Sequence, residues 1–150
     1  MCIVGCNPKG CGYGRYNKNL SMIDESYFKR LHVEKPKIVE KGWGYEIHII
    51  NNGMYCGKIL HFNQGSIGSL HYHIDKYETW YVSKGSVKII GVNPDNAEGY
   101  QIVACEGNVI DVPRGVIHQV YAITDADIFE VSTPDTPEDN YRVVKGDSQK

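Results

Sequence analysis

Three histidines and one glutamate stand at spacings that suit a transition-metal site: His71, His73, Glu78 and His118. Residues two apart on a β-strand point to the same face, so His71 and His73 share one side. Glu78 can return toward them across a short turn, and His118 follows a Pro-x-Gly turn that directs its strand inward. This ligand set suits one divalent ion, Mn, Zn, Fe, Co or Ni. A structural zinc site would be closed and rich in thiolates, so we predict an open site with room for substrate.

Short strands must position these residues. From Lys41 onward, runs rich in β-branched and aromatic residues alternate with turn signals, such as the hairpin-like Asn51-Asn52-Gly53. Nine such runs with no helix between them predict an all-β sandwich or barrel. The runs are Tyr45–Ile50, Tyr55–Phe62, Ser69–His73, Thr79–Val82, Ser86–Val92, Tyr100–Cys105, Val109–Val112, His118–Ile123 and Ile128–Val131.

The flanks of this strand-rich region differ from it in composition. Residues 1–36 are predicted as an irregular arm that contains a short helix over Met22–Leu31, with an apolar stripe on one face. The segment around Pro36 is predicted as an extended linker. Residues 37–133 form the predicted barrel, and the polar residues 134–150 form a tail that we expect to pack on it.

Composition limits the possible partners. The chain has 150 residues, a net charge of -2 and no basic block, which argues against nucleic acid. No apolar run approaches the roughly 18–20 residues of a membrane span, and no signal peptide is recognisable, so we expect a cytoplasmic protein. The five cysteines are odd in number, and Cys2, Cys6 and Cys11 match no zinc or iron–sulfur spacing, so reduced thiols are expected.

The segments that hold the candidate ligands resemble the two sequence motifs of the cupin superfamily. The first motif is matched by Gly65, His71, His73, Glu78 and Gly85, and the second by Gly107, Pro113, Gly115 and His118. Ala122 departs from the second motif, which usually has Asn there. The resemblance implies a single-domain cupin, a double-stranded β-helix or jelly-roll barrel that carries its metal on the four ligands named above.

The flanks give a finer resemblance, to the cupin domain of type II mannose-6-phosphate isomerases. It is carried by Lys41-Gly42-Trp43-Gly44-Tyr45-Glu46 and by the tail Glu138-Asp139-Asn140-Tyr141-Arg142. The resemblance implies a metal-dependent aldose–ketose isomerase that acts on a sugar or sugar phosphate. Two positions depart from that family: His71 stands where it usually has Gln, and Gln119 where it commonly has Arg.

The isomerase hypothesis assigns roles to further residues. Lys58 and Glu130 are the candidate catalytic residues, because the reaction moves a proton between C1 and C2 and needs a general base. Trp80 and Tyr121 are candidates for stacking on a sugar ring, and Arg142 for holding a phosphate. Each could instead be structural. Lys58 could be solvated and Glu130 could be a carboxylate at a sheet edge. Trp80 and Tyr121 could pack in the core, and Arg142 could form a surface salt bridge.

Two other functions fit the same residues. Three imidazoles and one carboxylate also resemble the ligand set of Fe(II)- or Ni-dependent cupin dioxygenases that act on small organic substrates. A non-catalytic sugar-binding cupin would keep the barrel and the ligand affinity without turnover. All three hypotheses expect a small polar partner. We also expect a homodimer, because the apolar helix needs a surface to cover and because small cupins commonly pair.

Overall fold

The computed structural model describes residues 31–150 of the chain. The predicted helix over Met22–Leu31, apart from its last residue, and the cluster of Cys2, Cys6 and Cys11 fall outside the described residues. Lys35–Lys150 form one compact unit.

Eleven β-strands make up almost all of the regular structure in this part of the chain. The helices that the structure describes here are two 3₁₀ helices of three residues, Pro137–Asp139 and Asp147–Gln149, and none is long and apolar enough to cross a membrane. The strands are β1 (Lys37–Lys41), β2 (Gly44–Asn51), β3 (Cys56–Phe62), β4 (Leu70–Tyr72), β5 (Glu78–Lys84), β6 (Ser86–Val92), β7 (Gly99–Cys105), β8 (Val109–Val112), β9 (Ile117–Ala122), β10 (Ala126–Ser132) and β11 (Tyr141–Val144).

The strands form two antiparallel sheets in a jelly-roll-like arrangement. One sheet has six strands in the order β1-β2-β3-β10-β5-β8, and the other has five in the order β11-β4-β9-β6-β7. Neighbours that are distant in sequence, such as β3 and β10, pair throughout their length. The prediction of an all-β fold is therefore confirmed, and each of the nine predicted runs overlaps a strand.

Two strands were not predicted. β1 covers Lys37–Lys41, which begins inside the segment that we expected to be a linker. β11 covers Tyr141–Val144 in the polar tail and pairs with β4 through Arg142 and His71. Both strands lie at a sheet edge, where a strand has only one neighbour and needs little apolar surface of its own.

The inward-facing residues of the central strands change from apolar to polar along the length of each strand. On β3 the buried residues run from Lys58 to Leu60 and Phe62, and on β10 they run in the opposite direction from Ile128 to Glu130. Because the strands are antiparallel and Glu130 is paired with Lys58, the apolar ends coincide and so do the polar ends. One end of the unit is therefore an apolar core, and the other is a buried polar site.

Candidate metal centre and cavity

His71, His73 and His118 come together at the polar end, as predicted. Strand pairing places His71 on β4 directly opposite His118 on β9, and His73 follows β4 on the same side as His71. One ring nitrogen from each histidine can be chosen so that all three lie within 4.8 Å of one another. This three-histidine group can hold a divalent metal ion.

The other ring nitrogen of each histidine is held by the backbone. A carbonyl oxygen can only accept, so Nδ1 carries the proton in all three rings, and each Nε2 presents its lone pair. Such contacts fix both the tautomer and the ring orientation of metal-binding histidines. His71 Nδ1 donates to the Ser69 carbonyl at 3.0 Å, His118 Nδ1 to the Val116 carbonyl at 2.9 Å, and His73 Nδ1 to the Asp139 carbonyl.

Burial keeps two of these rings neutral, those of His71 and His118. It lowers the pKa of His71 to about 3 and that of His118 to about 4, because the charged imidazolium loses its hydration. A neutral imidazole is the form that binds metal. Near pH 7 the two side chains are therefore ready to act as ligands without first losing a proton.

Glu78 lies beside the histidine group and not within it. Its Oε2 is 3.5 Å from His118 Nε2 and 3.9 Å from His73 Nε2. Both Glu78 Oε2 and His118 Nε2 are buried without a hydrogen-bond partner, although buried polar atoms are usually paired. A cation bound between them would satisfy both lone pairs, so the residues fit the divalent metal that the ligand set implies.

A cavity of about 420 Å³ opens next to the histidines. Four of the five residues that we predicted to act on substrate line it: Lys58, Trp80, Glu130 and Arg142. The first three are buried, and Arg142 is exposed at the rim. The structure thus brings these candidates together with the histidines.

Tyr121 is the exception, and the prediction that it lines the site is wrong. Side chains alternate along β9, so His118 and Val120 face inward while Tyr121 faces the opposite way. Its ring packs 5.6 Å from the Lys88 ammonium on the neighbouring strand β6, and it is not part of the cavity lining.

Lys76 is a central residue of the site that the sequence analysis missed. It lies between the ligand positions His73 and Glu78, and it is 4% exposed. Its Nζ is 2.6 Å from both Glu78 Oε1 and Glu130 Oε1, and 3.3 Å from Asp135 Oδ1. Asp135 also accepts from Lys58 Nζ at 2.5 Å. Two buried ammonium groups and three carboxylates therefore form one connected network beside the histidines.

The network fixes the protonation of its lysines. Burial alone would lower the pKa of Lys76, but Glu130, Glu78 and Asp135 raise it well above its ordinary value. Burial also opposes the charge on Lys58, and Glu130 and Asp135 again raise the pKa. Both lysines are therefore fixed positive charges. Burial, and then the nearby Glu78, raise the pKa of Glu130, which makes it the carboxyl of the network best suited to carry a proton.

Asp139, in the first 3₁₀ helix, holds the loop that carries Lys76. Its carboxylate accepts hydrogen bonds from three consecutive backbone N–H groups of residues 74–76, at 2.7, 3.0 and 2.8 Å. Its backbone carbonyl accepts from His73 Nδ1. A single residue of the tail therefore fixes both a candidate ligand and the loop that leads to Glu78.

Two further polar atoms in the cavity lining have no partner. Trp80 Nε1 and Asn140 Oδ1 are buried and make no hydrogen bond. One is a donor and the other an acceptor, so a polar ligand could satisfy both. Among the described residues, four buried side-chain atoms lack a hydrogen-bond partner: these two, Glu78 Oε2 and His118 Nε2. All four belong to this end of the unit.

A family model described as cupin matches residues 44–147, which is most of the chain. The chain therefore belongs to the cupin family. No curated protein sequence matches it.

Two of the solved structures with the same fold differ in how much of their own length this chain matches. Oxalate decarboxylase from Bacillus subtilis is 19% identical with a TM-score of 0.61, over 72% of this chain and 30% of that one. Another structure of that decarboxylase, with a TM-score of 0.60 and 19% identity, is described by its Mn(II) centres. KdgF from Halomonas sp. is 16% identical with a TM-score of 0.52, over 63% of this chain and 81% of that one. This chain thus spans about a third of the decarboxylase, and these likenesses show the fold alone.

Proposed function

We propose that this cupin is a metal-dependent enzyme that acts on a small carbohydrate, with aldose–ketose isomerisation as its reaction. The observation that carries the proposal is the placement of Glu130, Lys58 and Lys76 around a cavity that His71 and His73 also line, with His118 grouped to those two histidines. Mn, which B. subtilis oxalate decarboxylase contains, is one of the candidate ions, with Zn, Fe, Co and Ni. The bound ion would polarise a carbonyl or hydroxyl oxygen of the substrate as a Lewis acid.

The cavity side chains supply the remaining requirements of such a reaction. Isomerisation removes a proton from one carbon and returns it to the neighbouring carbon through an enediol. Glu130 is the candidate for this transfer, because its raised pKa suits a group that takes and returns a proton. Lys58 and Lys76, held positive by their carboxylate neighbours, would instead stabilise negative charge on the substrate oxygens.

The charge balance of the lining favours a free sugar over its phosphate ester. Four cations line the cavity, and three are already paired: Lys41 with Glu46 at 3.2 Å, Lys58 with Asp135, and Lys76 with three carboxylates. In the part of the chain that the structure describes, Arg142 is the lining cation without an ion pair. A phosphate dianion would meet only one available cation, whereas hydroxyl groups could satisfy Trp80 Nε1 and Asn140 Oδ1.

A direct test is proton exchange and interconversion of sugars by the metal-loaded protein. The chain would be loaded with Mn, Zn, Fe, Co or Ni in separate samples and incubated in D₂O with free aldopentoses, free aldohexoses and mannose 6-phosphate. Formation of the ketose with deuterium at C1, and deuterium at C2 of the recovered aldose, both read by NMR, are expected with a free sugar. Glu130→Gln should abolish exchange while metal content is retained. A metal-loaded protein that exchanges no sugar would contradict the isomerase.

A dioxygenase is a second candidate, because this site offers three imidazole ligands. The isomerase family usually has Gln in place of one of them, at the position of His71. Oxygen uptake by the Fe(II)- or Ni-loaded protein, with small enol or diketone substrates, distinguishes the two reactions. Oxygen consumption that depends on His71 would replace the isomerase proposal. Sugar binding without exchange and without oxygen uptake would instead indicate a binding protein.

A further inference from the structure

A second pair of titratable side chains lines the cavity, outside the histidine group and the lysine network. His48 and Glu46 lie two residues apart on β2, so both side chains are on the inner face of the six-stranded sheet. His48 Nε2 lies 2.6 Å from Glu46 Oε2, and both residues are half-buried. The steps of the isomerisation that Glu130 and the lysines serve leave this pair without a role.

Glu46 is held in its charged form. Its Oε1 accepts from Lys41 Nζ at 3.2 Å, and its Oε2 accepts from the imidazole. Burial opposes the charge, but the hydrogen bond from His48, with the nearby Lys58 and Lys41, lowers the pKa of this carboxyl below its ordinary value. A carboxylate can only accept, so Nε2 of His48 carries the proton and Nδ1 presents a lone pair. In this arrangement a carboxylate orients an imidazole to act as a general base.

Strand pairing places His48 in a row with the residues that are proposed to act on the sugar. His48 is paired with Lys58 on β3, and Lys58 with Glu130 on β10. Glu130 is paired in turn with Trp80 on β5. His48 thus lies two strands from Glu130, which corresponds to about 10 Å between their backbones. Because both side chains extend inward, a sugar whose C2 lies near Glu130 can present O1, on the adjacent carbon, to His48.

The proposed reaction needs an earlier step that involves neither Glu130 nor the lysines. A free aldose in water is mainly a closed ring, and its C2 hydrogen becomes acidic only beside the C1 carbonyl of the open chain. Opening the ring moves the proton of the O1 hydroxyl to the ring oxygen, while the bond between C1 and the ring oxygen breaks. Both oxygens are attached to C1, so one group that takes the proton and then returns it can serve both transfers.

We propose that His48 opens the ring of the sugar, with Glu46 as its positioning residue; this inference rests on the proposed sugar substrate. Nδ1 of the neutral imidazole takes the proton of the O1 hydroxyl, and the O–H electron pair forms the C1 carbonyl. The bond from C1 to the ring oxygen breaks with its electron pair on that oxygen. The imidazolium, stabilised by Glu46, then gives the proton to the ring oxygen and is neutral again. Because the open chain closes on either face of C1, the protein also interconverts the two anomers.

The test is the rate of exchange between the α and β anomers of a free aldopentose or aldohexose, measured on the full chain by NMR exchange spectroscopy. The native protein should accelerate this exchange above the rate in buffer. His48→Gln should lower the accelerated rate about 100-fold or more, because a general base is lost. His48→Ala should have the same effect, and added imidazole should restore part of the rate. The urea midpoint of each variant reports that it remains folded.

Glu46→Gln tests the positioning role. The amide has no charge to stabilise the imidazolium and can hold the imidazole in the wrong tautomer, so the exchange rate should fall by at least about tenfold. The ¹⁵N chemical shifts of the His48 ring report which nitrogen carries the proton, and they should change in this variant. Native shifts with a native rate would show that Glu46 does not position His48.

The matched control is His61→Gln. His61 Nδ1 lies 2.6 Å from Asp127 Oδ1, so the two form a pair of the same kind, but on the outward side of β3 and outside the cavity lining. This variant should exchange anomers as the native protein does. A native protein that does not accelerate anomer exchange overturns the inference, and so does an acceleration that survives His48→Gln.

Deuterium at C2 of the recovered aldose tests the isomerase separately. Anomer exchange that depends on His48, without deuterium at C2, supports ring opening by His48 and contradicts the isomerase. Deuterium at C2 with anomer exchange that does not depend on His48 supports the isomerase and overturns the role of His48.

Discussion

At the scale of residues, the candidate metal centre depends on which ring nitrogen of each histidine bonds to the backbone and which is left for an ion. Backbone carbonyls hold Nδ1 of His71, His73 and His118, and this leaves three Nε2 atoms for an ion. Burial keeps His71 and His118 neutral, so no proton competes for those lone pairs near neutral pH. The affinity for metal should therefore depend on these three Nε2 atoms, and a single substitution can remove any one of them.

We expect His73→Ala to lower the affinity for Mn or Zn by more than about 100-fold. Loss of a residue that only supports a ligand costs about 10–100-fold, and loss of the ligand itself should cost more. His61→Ala is the matched control, because His61 bonds to Asp127 away from the centre. Isothermal titration of the metal into both variants measures the difference. Equal affinities would show that His73 is not a ligand.

We expect Lys76→Met to destabilise the metal-free protein by about 3–5 kcal/mol, because it leaves the buried Glu78 and Glu130 without their cation. A divalent ion replaces part of the lost positive charge, so added metal should stabilise the variant more than the native chain. Lys84→Met, at the exposed end of β5, is the control. Urea unfolding with and without Mn measures both effects. A variant as stable as the native protein without metal would refute this role of Lys76.

At the scale of elements, the tail contributes to the site through the first 3₁₀ helix and β11. The three hydrogen bonds to the Asp139 carboxylate hold the loop at residues 74–76, and β11 pairs with the strand that carries His71. The tail therefore acts as a positioning element for ligands that lie more than sixty residues earlier in the sequence.

Asp139→Ala should lower the free energy of unfolding by about 1–3 kcal/mol, because backbone N–H groups lose their acceptors. It should also weaken metal binding about 10–100-fold, since the loop that leads to Glu78 is no longer held. Glu138→Ala, which changes the exposed neighbour, is the control. Denaturant unfolding and metal titration give the two values. Unchanged metal affinity would limit Asp139 to a role in stability.

The strands could be predicted where a side-chain pattern is imposed by burial on one face. β6 and β10 alternate between buried and more exposed residues, and both were recognised. The edge strand β11 is exposed at every position, so no alternation marks it, and its pairing with β4 is a tertiary event. Tyr121 was misplaced for a related reason: its type suits a sugar site, but the phase of β9 turns it outward.

The histidine group could be predicted because its members are close in sequence or follow a turn that directs them. Lys76 could not be recognised, since a lysine in a loop is ordinarily solvated. Its burial depends on Glu78, Glu130 and Asp135, two of which are more than fifty residues away. Asp139 was missed for the same reason, because its partners belong to a distant loop. The sequence feature that pointed to Lys76 was its position between two ligand candidates, but position alone does not indicate that a lysine is buried.

At the scale of the whole molecule, the centre lies where the two sheets meet. His71 and His118 belong to β4 and β9 of the five-stranded sheet, whereas Glu78 begins β5 of the six-stranded sheet. The side chains that face one another there, Glu78 Oε2 and His118 Nε2, have no hydrogen bond between them. At this end a cation would link the sheets, and at the other end the apolar core already does so.

Metal removal should therefore weaken the attachment of the sheets at the polar end before it affects the core. With free Mn or Zn at about 100 times its dissociation constant, binding to the folded state adds about 2.7 kcal/mol to the free energy of unfolding, and a chelator should remove it. Hydrogen exchange at β4 and β5 should accelerate in the chelated protein, while exchange at β6 stays slow. His73→Ala, with its ligand already missing, should respond little to either metal or chelator. Equal melting of the chelated and metal-loaded native protein would mean that the ion does not hold the sheets together.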